Sequence, residues 1–87
     1  MARPLASIAA SIIGRRLVGT VALVNEEGGY VLVDVGTLYV PNPGLALKCF
    51  SGGNETAELK TTPERWAPFI SADIVKGTPG KGDQVFE

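Results

Sequence analysis

The 87 residues contain no histidine. That removes the usual general base, the Ser/His/Asp and Cys/His nucleophile systems and the commonest metal ligand in one stroke. Cysteine is nearly absent too. Cys49 is the only one, so no disulfide forms within the chain, and a structural zinc site within one chain has no ligand set. Flanked by Lys48 and Phe50 in a strand-like run, Cys49 reads as a small buried hydrophobe, with an intermolecular disulfide or a reactive thiol as the alternatives. No apolar run reaches the roughly 18 residues that span a bilayer. The stretch from Met1 to Gly14, with Arg3 and then a short apolar run, has the outline of a weak signal peptide. Against cleavage, Arg15 and Arg16 stand where small residues would be expected. Retention of the segment is therefore expected; the cytoplasm is slightly favoured, with the envelope or export left open.

Motifs of other chemistries are missing as well. No Asp-x-Asp-x-Asp-Gly calcium loop occurs. Gly77-Thr-Pro-Gly-Lys-Gly-Asp83 fails as a phosphate loop, because Gly82, five residues after Gly77, is followed by Asp83 where a lysine is required, and a strand follows instead of a helix. Those glycines read as tight turns, with Asp83 bonding nearby backbone amides. Glu26, Glu27, Asp34 and Asp73 read as solvated or turn-capping carboxylates. Asn54-Glu55-Thr56 matches a glycosylation acceptor, a motif that matters only in a eukaryotic secretory setting. The sequence thus predicts a non-enzymatic protein without cofactor or metal.

What is present is ordinary globular composition, 45% hydrophobic and 20% charged, in a length that holds one domain. The net charge of −1 is unevenly distributed. Residues 1–25 hold Arg3, Arg15 and Arg16 and no acid, whereas residues 26–87 hold nine acids against five bases, a balance of −4. Such asymmetry favours contact between one copy's arm and another copy's body. It disfavours nucleic acid: Lys48, Phe50 and Lys60 are the nearest thing to a basic-aromatic patch, and Glu55 and Glu58 lie among them.

Two regions differ in periodicity. Residues 1–16 form an apolar arm, in which Leu5, Ile8, Ala9, Ile12 and Ile13 repeat at helical spacing between Pro4 and Gly14. The opposite face of that predicted helix, Ala6, Ser7, Ala10 and Ser11, is small and scarcely polar. Such a helix asks to be covered on more than one side, by its own barrel or by another subunit. Residues 17–87 read as a small antiparallel β-barrel of about six strands. Strands are expected over 17–24, 30–35, 45–50, 55–61, 69–75 and 84–86. Gly19 marks a bulge, and Val31, Val33 and Val35 face inward with Asp34 outward. A turn or single helical turn is expected at Thr62–Pro68. Leu38, Tyr39 and Val40, in a loop with two prolines, are too apolar for water and either cap a barrel end or touch a partner. Arg65 and Trp66 make a pair typical of interaction hot spots, the tryptophan otherwise serving as a lid on the barrel.

The chain resembles the family of small bacterial β-barrel domains like the C-terminal domain of flagellar assembly protein T. The resemblance covers residues 19–86 and runs from a strand ending in Val24-Asn25 through Gly29-Tyr-Val-Leu-Val-Asp-Val-Gly36, Pro43-Gly44, Gly52-Gly53 and Ala57-Glu-Leu-Lys60 to Ala72-Asp-Ile-Val-Lys-Gly77 and Gly82-Asp-Gln-Val85. It implies an accessory module of an assembly, with no catalytic residues to carry over. The functional expectation is a structural or assembly protein that self-associates through Leu5, Ile8, Ile12, Ile13, Leu38, Tyr39, Val40, Arg65 and Trp66. The rival is a monomeric binding module for a peptide, glycan or nucleic acid.

Overall fold

A computed structural model of the chain describes residues 16–36 and 41–87. Six strands follow one another: β1 (Leu17–Asn25), β2 (Tyr30–Asp34), β3 (Ala46–Ser51), β4 (Asn54–Trp66), β5 (Phe69–Gly77) and β6 (Gln84–Phe86). They close into a barrel in the order β1-β2-β5-β4-β3-β6, every pair antiparallel. Closure depends on the three-residue β6, which pairs with Leu17–Thr20 on one side and Lys48–Phe50 on the other. A six-stranded barrel has room inside for side chains only. Alternate residues fill it: Val31 and Val33 from β2, Leu47 and Cys49 from β3, Ala57 and Leu59 from β4, Ile70 and Ala72 from β5. The expected inward valines and outward Asp34 are observed, with Val35 partly buried against the core.

Gly19 behaves as its position implies. The β1–β6 register shifts between Leu17 and Gly19, and a side chain there would strike the backbone carbonyl of Asp34. The hairpin between β1 and β2 closes on Asn25, whose Oδ1 accepts from the Gly28 amide at 2.7 Å while its Nδ2 donates to the Tyr30 hydroxyl at 3.1 Å. In the link before β6, Asp83 is 7% exposed and accepts from the Gly80 amide (2.8 Å) and the Thr56 hydroxyl (2.6 Å), as its turn role predicts.

The sequence reading fails at Thr62–Pro68. This is neither a turn nor a helical turn along most of its length, because β4 runs on to Trp66 and only Ala67 and Pro68 turn, across a cis peptide bond. Pro63 has no amide to give a ladder, and a bulge accommodates it. The β4–β5 register jumps from Thr61↔Ala72 to Arg65↔Ile70, so Thr62, Pro63 and Glu64 oppose Ser71 alone. The bulge is tied locally: the Thr62 hydroxyl donates to the Ser71 carbonyl at 3.2 Å and accepts from the Glu64 amide at 3.3 Å.

The arm at 1–16 lies outside the described residues except for Arg16, so the expected N-terminal helix does too; no helix occurs among the described residues. None there is long and apolar enough to cross a membrane.

Candidate functional site: an aromatic, acidic groove on the barrel wall

Inward residues of β2 leave Tyr30 and Leu32 facing out. The β2–β5 register sets Tyr30 against Asp73 and Leu32 against Ser71. Cross-strand partners share a face, so these four side chains form one outer patch. The β4 bulge then raises Glu64 and brings Trp66 alongside. Together Tyr30, Leu32, Glu64, Trp66, Ser71 and Asp73 line a groove of about 410 Å³. Its lining holds two aromatics and two carboxylates and no lysine or arginine. Trp66 is 57% exposed, whereas Ser71, lying on the floor, is buried. Leu23, opposite Leu32 in the β1–β2 register and 44% exposed, continues the apolar surface toward β1.

Arg65 and Trp66 were expected to act as a pair, and the strand separates them. Neighbouring residues of a strand point to opposite faces. The Arg65 guanidinium donates through Nη2 to the Pro41 carbonyl at 3.0 Å and helps line a small cavity with Val35, Pro68 and Phe69. Arg65 is thus a clamp on the segment after residue 40, and Trp66 alone of the pair faces the groove. The other expected contact residues, Leu5, Ile8, Ile12, Ile13, Leu38, Tyr39 and Val40, lie outside the described residues.

Sequence reasoning missed Tyr30, Leu32, Glu64 and Asp73. The outward phase of Tyr30 and Leu32 was implicit once Val31 and Val33 were placed inside. Their meeting with Asp73 and Glu64 is a matter of register between strands far apart in sequence, for which no local signal exists.

The charges around Lys48 pair with one another. Lys48 pairs with Glu55 at 3.5 Å and Glu58 at 3.6 Å, and Lys76 also reaches Glu58 at 3.7 Å. Phe50 is buried edge-on against Phe86, with ring centroids 5.5 Å apart, and offers no face for a base to stack on. Cys49 is fully buried, and burial followed by the negative charges of Asp83 and Glu55 pushes its thiol up to about 12. A thiol so placed is a core residue and a poor nucleophile. Among the described residues no three of Cys, Asp and Glu are grouped to hold a metal ion. Compared with known proteins, the chain matches no family model, no curated protein and no solved structure, and none of these comparisons identifies the flagellar family.

Proposed function

We propose that this protein is a non-enzymatic structural or assembly protein whose copies associate through apolar surface on and beside the barrel. The carrying observation is Trp66, a large aromatic left 57% exposed in a groove whose other walls are Tyr30 and Leu32. Tryptophan and tyrosine, here one exposed and one half-buried, are residue types that binding hot spots favour. An 87-residue chain also has a modest core, which association commonly supplements. The uneven charge, +3 in residues 1–25 and −4 beyond, supports contact between copies, since unlike regions attract while like regions repel.

Size-exclusion chromatography with light scattering on the full chain tests this. The expected result is a mass of two or more chains that falls on dilution. A single-chain mass at every concentration overturns the reading. The second reading, a monomeric binding module, then stands, and the presence of two carboxylates beside two aromatics in the groove favours a ligand with a cationic group.

A further inference from the structure

We infer that the groove over β2, β5 and β4 is the receptor for residues 4–14 of a second copy, so that arm and groove exchange between chains. This rests on the self-association reading and names its two surfaces.

Complementarity carries the assignment. The groove lining offers the apolar Leu32, the aromatics Tyr30 and Trp66, and two carboxylates, Glu64 and Asp73, with no base. The stretch before β1 offers the counterpart. Leu5, Ile8, Ile12 and Ile13 recur at helical spacing, Arg3 and Arg15 flank them, and no acid occurs before Glu26. An amphipathic helix laid in an apolar groove is anchored by such i, i+3, i+4, i+7 positions. Guanidinium groups at its ends are suited to carboxylates and to the faces of tryptophan and tyrosine.

The self-association reading makes a second copy the donor, since the basic first 25 residues of one copy are set against the acidic body of another.

Mixing full-length variants tests the exchange. The arm variant carries Ile8→Asp and Ile12→Asp; one groove variant carries Trp66→Ala, and another carries Glu64→Lys and Asp73→Lys. The groove substitutions fall on exposed side chains, so the far-ultraviolet β spectrum is expected to persist. By light scattering, each variant alone should drop to single-chain mass. An equimolar mixture of arm variant with either groove variant should regain a two-chain species, because one intact arm meets one intact groove. A mixture that stays at single-chain mass overturns exchange in favour of docking within a chain. Wild type that associates while both groove variants keep its mass overturns the groove as receptor and leaves self-association standing. Wild type at single-chain mass removes both.

Discussion

At the residue scale, the chemistry of this chain is concentrated in one buried thiol and one buried carboxylate. Cys49 has no solvent contact, and its thiol is raised from an ordinary value of 9.0 to about 12. The folded state thus prefers the protonated thiol more strongly than the unfolded chain does. The corresponding stability is complete below pH 9 and is lost as pH rises from about 9 toward 12. Against a Cys49→Ala variant, thermal melts should show wild type losing stability over that window by at most roughly 1.4 kcal/mol per pH unit. Below pH 8, roughly one unit under the unfolded thiol's range, the difference between the two should be flat. A thiol-titrating reagent should react with Cys49 only on unfolding. Asp83 works by hydrogen bonds: Asp83→Ala leaves the Gly80 amide and the Thr56 hydroxyl without their acceptor, and urea denaturation should report a loss of about 2 kcal/mol.

At the element scale, β4 sets the architecture of the groove side. Its residue Thr61 faces inward and fastens the segment that leads into β3. The Thr61 hydroxyl accepts from the Leu45 amide at 2.8 Å and donates to the Asn42 carbonyl at 2.5 Å, while its backbone bonds Gly44 and Leu45. Thr61→Val keeps the shape and loses both side-chain bonds, so urea denaturation should show roughly 1–3 kcal/mol lost. Beyond Thr61, a sequence pattern that reads Pro63 as a strand breaker stops too early. The proline is a breaker only for a ladder that needs its amide, and in a bulge with three residues facing one it interrupts nothing. The closing seam is sensitive in another way. Gly19→Ala places a methyl against the Asp34 carbonyl, a backbone atom that cannot swing aside, and should cost roughly 1–3 kcal/mol in the same assay.

At the scale of the whole molecule, the packed interior and the groove are different surfaces, so substitutions in the two can be compared separately. Leu59 fills the interior and is 1% exposed, so Leu59→Ala should cost about 3 kcal/mol, a large part of what a domain this small has. At concentrations low enough for single-chain mass, Trp66→Ala should change unfolding free energy by no more than about 0.5 kcal/mol, because the ring is 57% exposed on the single chain. A Trp66 variant that unfolded as readily as the Leu59 variant would show the tryptophan to be part of the core. The sequence by itself determined the β-barrel class, the inward valines of β2, the turn role of Asp83 and the absence of histidine-based chemistry. All of these depend on residue type or on periods of a few residues, which a chain carries locally. Only the tertiary structure decided that β4 passes through its proline, that Arg65 clamps Pro41 away from Trp66, and that Tyr30, Leu32, Glu64 and Asp73 meet in one groove. Those facts follow from register between strands distant in sequence, and register is set by the packing of the closed barrel as a whole.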